Sequence, residues 1–164
     1  MLIRAIFAFL MLPVIVTGII PFILYQYDPY KSDGSLYGLI FLALGLNLLL
    51  WCVKDFYIAG KGTLAPWDPP KLIVTSGLYK YVRNPMYISV FFILMGWMIL
   101  SASIYIGAFT ITLMTVFYFR VKLHEEPWME KNFGTAWLNY KNHTPSWLPN
   151  IINYKKKKLI NVDH

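Results

Sequence analysis

The chain has 164 residues, of which 57% are hydrophobic and only 14% are charged. A soluble domain carries roughly a quarter charged residues, so this composition excludes an ordinary soluble protein and indicates one polytopic, all-helical membrane domain. The net charge of +7 lies in loops and a C-terminal tail rather than among solvent-facing aromatic residues. That pattern orients a membrane protein, and no nucleic-acid partner is predicted.

Two apolar runs predict the first two membrane spans. The first is Ala5–Leu24, which carries no charge and is too long for the apolar region of a signal peptide. Pro13 and Pro21 should kink it, because proline removes a helical hydrogen bond. The second run is Leu36–Val53. Each run is close to the roughly 20 residues with which a helix crosses the hydrocarbon core.

The next uncharged stretch, from Pro85 to Phe119, is too long for one span. As a single helix it would measure roughly 52 Å against a hydrocarbon core of about 30 Å, so it must fold back. Its least apolar point is Ser101-Ala102-Ser103, near the middle. The sequence therefore predicts a helical hairpin of Met86–Leu100 and Ile104–Phe119.

Lysine and arginine predict the orientation of these four spans. The loop 26–35 carries Lys31 alone, whereas the loop 54–84 and the segment after Phe119 are rich in basic residues. Because cytoplasmic loops carry the basic excess, both termini and the loop 54–84 are expected in the cytoplasm. We expect a single membrane-embedded domain over residues 1–154. Residues 155–164 form a basic cytoplasmic tail that would contact anionic membrane lipids.

The segment after the fourth span predicts an amphipathic surface helix over Glu126–Asn142. Pro127 suits a first helical position, whereas Gly134 weakens the helix. Pro145 and Pro149 end it. Its apolar side is supplied by Trp128, Phe133, Trp137, Leu138 and Tyr140.

Two polar clusters lie at the predicted cytoplasmic face, where they can converge. One runs from Gly77 to Tyr87 and precedes the third span; the other is His124-Glu125-Glu126. Adjacent helical residues point about 100° apart, so only one of the two glutamates should face a pocket squarely, unless Pro127 distorts the turn. No metal site is predicted, because no second histidine stands one helical turn from His124.

These side chains match the groups of S-adenosylmethionine. Arg83 can pair with a carboxylate, and a glutamate can bind a ribose diol or offset a positive sulfur. Tyrosine rings can stack on a flat base or face a cation. Taken singly, the same residues also fit ordinary roles, since basic residues fix orientation and interfacial tyrosines form an aromatic belt. The tyrosines concerned are Tyr79, Tyr81 and Tyr87.

Several motifs recur in order between Gly60 and Pro149. They are Arg83-Asn84-Pro85-Met86-Tyr87, the hairpin, Glu125-Glu126-Pro127, Phe133-Gly134 with Tyr140, and Pro145-Ser146-Trp147-Leu148-Pro149. This order resembles the isoprenylcysteine carboxyl methyltransferase and phospholipid methyltransferase superfamily. The resemblance implies an integral-membrane enzyme that transfers a methyl group from S-adenosylmethionine to a lipophilic or small acceptor, with no obligatory protein partner.

The resemblance also implies where the cofactor binds. Asn84 stands where the isoprenylcysteine enzymes usually have histidine, and Ser146 where relatives often have arginine. The acceptor stays open between a prenylated carboxylate, a phospholipid amine and a small thiol, and a non-catalytic protein that keeps the fold is the alternative of another class. The predicted catalytic residues are Arg83, Glu125 and Glu126, and the predicted cofactor-binding residues are Gly77, Tyr79, Tyr81, Arg83, Asn84, Pro85, Tyr87, Glu125 and Glu126.

Overall fold

The computed structural model describes residues 13–60 and 72–149, and over these ranges the protein is all-helical, without a strand. The predicted all-α class is confirmed for this part of the chain. Residues 5–12 of the first predicted span, the loop residues 61–71 and the basic tail at 155–164 lie outside the described residues. The division into a domain and a tail stays a prediction.

The helices follow the predicted order. The first and second continue beyond the predicted ends at Leu24 and Val53. A π-helical turn lies between Pro13 and Pro21, the two prolines that were predicted to kink this span. The kink itself stays a prediction. The elements are α1 (Ile15–Tyr27, beginning with the π turn Ile15–Ile19), α2 (Gly38–Gly60), a 3-10 turn (Gly77–Lys80), α3 (Pro85–Ser101), α4 (Ile104–Arg120), a π turn (Val121–Glu125) and α5 (Glu126–His143).

Two described stretches are long and apolar enough to cross a membrane. They are Gly38–Asp55 and Ile104–His143, whereas α1 and α3 are apolar but shorter. Large apolar side chains on the outer faces are more than half exposed, as expected of helices that meet lipid. Examples are Phe22, Ile40, Leu50 and Ile111. The protein is therefore a membrane protein, and the four-span count with cytoplasmic termini stays a prediction.

Helices α3 and α4 form the predicted hairpin. Ala102 adopts the left-handed conformation (φ 47°, ψ 29°) between them, and the Ser103 hydroxyl accepts a hydrogen bond from the Ile106 amide at 3.3 Å. Asp28, in the loop after α1, accepts from the Ser103 hydroxyl and from the Tyr105 amide. A carboxylate at the start of α4 satisfies helix N–H groups that have no partner within the helix.

Close packing of α2 against α3 sets the position of the segment from Gly77 to Tyr87. A Cβ atom on Gly38 would lie 2.5 Å from the carbonyl oxygen of Gly96, so only small residues permit this approach. At the other end of α2, the Asp55 carboxylate accepts a hydrogen bond from the Leu78 amide at 3.2 Å. It fills the space beside Gly77, whose φ is +55°. The start of the Gly77 to Tyr87 segment is thereby fixed to α2.

Candidate active site

Both glutamates of the Glu125-Glu126 pair reach the Gly77 to Tyr87 segment. Glu125 Oε1 accepts hydrogen bonds from the Tyr87 hydroxyl at 2.5 Å and from Arg120 Nε at 2.9 Å. Glu126 Oε1 lies 3.0 Å from Arg83 Nη2. The spacing predicted that only one would face a pocket squarely, unless Pro127 distorts the turn. The π turn Val121–Glu125 directly precedes Glu126, and π turns in helices are frequent at functional sites.

Arg83 is the most enclosed cation of this group. Its side chain is 10% exposed, and that of its partner Glu126 is 17% exposed. Lys141 Nζ lies 3.2 Å from the other oxygen of Glu126, so two cations share one carboxylate. Arg83 Nε and Nη1 are buried and have no hydrogen-bond partner among the described residues. A buried N–H without a partner costs about 1–3 kcal/mol, which favours a ligand that can accept hydrogen bonds.

The chain reverses direction at Gly134. A straight helix would separate Glu126 and Lys141 by about 22 Å at 1.5 Å per residue, yet their side chains form an ion pair. Gly134 has φ 50° and ψ −125°, a non-helical conformation within α5. This conformation matches the first central residue of a type II′ turn, where glycine is favoured. We call residues 135–147 the return arm, because they come back over the start of α5.

The return arm brings Trp137 and Tyr140 to the predicted site. The Arg83 guanidinium lies 5.5 Å from the centre of the Trp137 ring, and the Tyr140 hydroxyl donates to the Tyr79 carbonyl at 2.7 Å. Trp137 is buried, and its Nε1 has no hydrogen-bond partner among the described residues. Trp137 was expected to contribute apolar surface to a helix at the membrane; in the structure it is buried beside Arg83.

The end of the return arm forms a clasp on the residues that precede α3. The Arg83 amide donates to the Pro145 carbonyl at 2.9 Å, and the Asn84 amide to the Ser146 carbonyl at 3.2 Å. The Asn84 side-chain nitrogen also donates to the Ser146 hydroxyl at 2.8 Å. The two positions that depart from the family motif therefore contact each other. Trp147 lies beside Tyr87, with ring centres 6.1 Å apart.

The remaining predicted cofactor-binding residues, Tyr79, Tyr81 and Pro85, lie elsewhere in the segment from Gly77 to Tyr87. Tyr79 is 8% exposed and packs with Cys52 and Val74, and burial raises the pKa of its hydroxyl well above the usual range. Tyr81 is exposed, and Pro85 is the first residue of α3. The sequence did not predict contacts at Arg120, Trp137 and Lys141. Arg120 and Lys141 gave little signal, because basic residues at a membrane face usually fix orientation. Trp137 gave little signal, because its type indicated an apolar surface residue.

The described part of the protein has two concave regions. One is a polar cleft of about 430 Å³ that reaches Glu126 and is lined by Lys122, Glu126, Pro127, Glu130, Lys131 and Lys141. The other, of about 400 Å³, is a mainly apolar groove between α3 and α4. Its lining residues are Phe91, Met95, Met98, Gly107, Thr110, Ile111, Met114 and Thr115.

Comparison with known proteins gives two matches. The phospholipid methyltransferase family pattern matches residues 34–136, more than half of the chain. The Protein-S-isoprenylcysteine O-methyltransferase of Schizosaccharomyces pombe is 33% identical over 81 residues, which are 49% of this chain and 34% of that protein. The chain thus spans about a third of the length of this relative. No solved structure matches the chain.

Proposed function

This chain belongs to the phospholipid methyltransferase family, and from that premise we propose that it is an integral-membrane enzyme that takes its methyl group from S-adenosylmethionine. The observation that carries the proposal is the convergence of Arg83 and Tyr87 on the Glu125-Glu126 pair. These residues are distant in sequence and meet where α3 begins and α4 ends. A simple membrane anchor has no need of a buried arginine with unpartnered N–H groups.

The side chains fit the charged groups of this cofactor. The unpartnered N–H groups of Arg83 suit a carboxylate, because hydrogen bonds from a guanidinium to a carboxylate are charge-assisted. Glu125 and Glu126 suit the positive groups and the ribose hydroxyls. When bound, S-adenosylmethionine supplies an electrophilic methyl group on a positively charged sulfur.

The residues of the chain contribute alignment and shielding from water. Methyl transfer is an in-line displacement at carbon with a good leaving group, so holding donor and acceptor in line provides most of the acceleration. Arg83 and Tyr87 are held on two sides, by the clasp to the return arm and by the glutamates. Burial by Trp137 and Trp147 would limit water at the reacting atoms.

For the acceptor, we propose a lipophilic carboxylate, as the name of the S. pombe relative suggests. Glu125 already accepts from Tyr87 and Arg120, and Glu126 already pairs with Arg83 and Lys141. Taking a proton from an ammonium group would compete with these contacts, whereas a carboxylate acceptor arrives ionised and needs no base. The apolar groove between α3 and α4 suits the acceptor's hydrocarbon portion.

A phospholipid amine is the second candidate, favoured by the description of the matching family; a small thiol acceptor and a non-catalytic role follow. Incubation of the protein in detergent with methyl-labelled S-adenosylmethionine and each acceptor type decides among them. We expect label in a prenylated cysteine carboxylate. Label only in an amine or a thiol would reassign the acceptor, and failure to bind the cofactor would refute the enzyme.

The proposal includes four spans with both termini in the cytoplasm. Ser32 lies in the loop after α1, and Asn142 near the end of α5; both are exposed. An impermeant thiol reagent applied outside the cell should label Ser32→Cys and should not label Asn142→Cys. The native Cys52 is fully buried and should not react. Labelling of both positions from outside would refute this topology.

A further inference from the structure

Three buried N–H groups without partners lie close together beside Glu126. They are Arg83 Nε, Arg83 Nη1 and Trp137 Nε1, and none has a hydrogen-bond partner among the described residues. The Arg83 side chain is 10% exposed and Trp137 is 5% exposed, and the guanidinium lies 5.5 Å from the indole ring centre. Neither side chain has an acceptor atom, so the two cannot satisfy each other.

A purely packing role for Trp137 does not account for this arrangement. A buried tryptophan usually directs its N–H to a partner, and a buried side chain that only fills space carries no donor. The nearest carboxylate, Glu126, already binds Arg83 Nη2 and Lys141 Nζ. The group that fits the remaining donors carries a negative charge and several lone pairs, which a carboxylate provides.

We propose that Trp137 and Arg83 together form the binding site for the carboxylate of the methyl donor. Arg83 supplies a hydrogen bond from one of its unpartnered N–H groups, and Trp137 supplies one from Nε1 while its ring lies beside the guanidinium. This inference rests on the proposed function and adds Trp137 as a ligand-binding residue. Trp137 lies one position beyond the segment that matches the family, 34–136, and it reaches Arg83 because the chain reverses at Gly134.

The test compares two ligands, of which only one carries the amino-acid group with its carboxylate. S-adenosylhomocysteine carries the amino-acid group, whereas methylthioadenosine keeps the nucleoside and lacks it. In the protein in detergent, Trp137→Phe should weaken S-adenosylhomocysteine binding by about tenfold, as expected for the loss of one hydrogen bond to a charged group. Binding of methylthioadenosine should change by less than about twofold. Trp128→Phe, on the exposed part of α5, is the matched control and should change neither affinity.

The alternative outcomes separate the two proposals. Equal weakening for both ligands means that Trp137 only packs, and no weakening means that its N–H is not used; either result overturns this inference and leaves the proposed function standing. If the wild type binds neither ligand, the proposed function fails and this inference fails with it.

A measurement on the wild type covers the case in which Trp137→Phe does not fold. The protein has 6 tryptophans, and single phenylalanine replacements of the others assign the indole N–H resonances by elimination. The Trp137 N–H resonance should move downfield with S-adenosylhomocysteine and stay in place with methylthioadenosine. The same response to both ligands, or none, would overturn the inference.

Discussion

Replacing Gly134 by alanine should weaken the attachment of the return arm, since the chain reverses at this glycine. A Cβ atom at Gly134 would meet no atom within 4 Å, so the substitution creates no clash. The cost is in the backbone, because alanine disfavours φ 50° with ψ −125° by about 1–3 kcal/mol. Relief of that strain requires the arm to straighten and to lose its contacts with Glu126, Tyr79 and Arg83.

The expected magnitude follows from comparing the strain with the bonds that hold the arm. Each hydrogen bond of the arm, such as Tyr140 to the Tyr79 carbonyl, contributes a net ~1 kcal/mol. The strain therefore offsets part of this retention, and the equilibrium constant between the returned and the released arm should fall by roughly 5- to 150-fold relative to the wild type. Affinity for S-adenosylhomocysteine should fall with it, because Trp137 leaves Arg83.

The assay is chemical cross-linking together with ligand binding. Glu130→Cys and Lys141→Cys replace side chains whose charged atoms are 3.8 Å apart, so a short bifunctional thiol reagent should join them only when the arm is returned. Gly18→Ala is the matched control, since Gly18 also has no neighbour within 4 Å but has no positive φ. It should leave cross-linking unchanged. Full cross-linking and unchanged affinity in Gly134→Ala would refute the reasoning.

Three further predictions concern single side chains. Arg83→Lys keeps the charge but loses the planar fork, so S-adenosylhomocysteine affinity should fall by about tenfold in a titration; an unchanged affinity would leave Arg83 only an orienting role. Ala102→Gly should stabilise the hairpin by ~1 kcal/mol and raise the melting temperature by roughly 2–4 °C, because glycine tolerates φ 47°; a lower value would contradict this. Burial raises the pKa of Asp28, but hydrogen bonds from Ser103 and from the backbone outweigh it, so the pKa is lowered in the folded state. The ionised Asp28 therefore stabilises the fold above the unfolded-state pKa of about 3.9, and this contribution is lost as pH falls through the lower folded value. Asp28→Asn should lower the melting temperature at about pH 7 and flatten its decline below about pH 4; equal melting curves for both proteins would contradict it.

The sequence predicted the elements whose causes are local. An uncharged run that is too long for one span, with serines at its centre, predicts a turn, and the structure has α3 and α4 on either side of Ala102. The third span was predicted to begin at Met86, directly after Pro85, and α3 begins one residue earlier, at Pro85 itself. In both cases composition and spacing within about twenty residues decide the outcome, and no distant contact is needed.

The contacts of the return arm were not predictable in this way. Gly134 was expected to weaken a helix, but a glycine in a helical pattern does not reveal whether the chain continues or reverses there. The reversed arm is held by the clasp between Asn84 and Ser146, which are 62 residues apart in sequence. For the same reason the sequence predicted for Trp137 only a place on the apolar side of a surface helix.

The clasp changes how the two departures from the family motif are interpreted. Taken separately, Asn84 removes a titratable group and Ser146 removes a cation from the site. In the structure the Asn84 side-chain nitrogen donates to both the hydroxyl and the carbonyl of Ser146, so these donor bonds are made within the clasp. A histidine and an arginine at these positions would repel each other when both are charged, whereas an amide and a hydroxyl bind. The pair therefore acts as one positioning unit that fixes the Arg83 backbone, and under the proposed function charge recognition falls to Arg83 and the two glutamates.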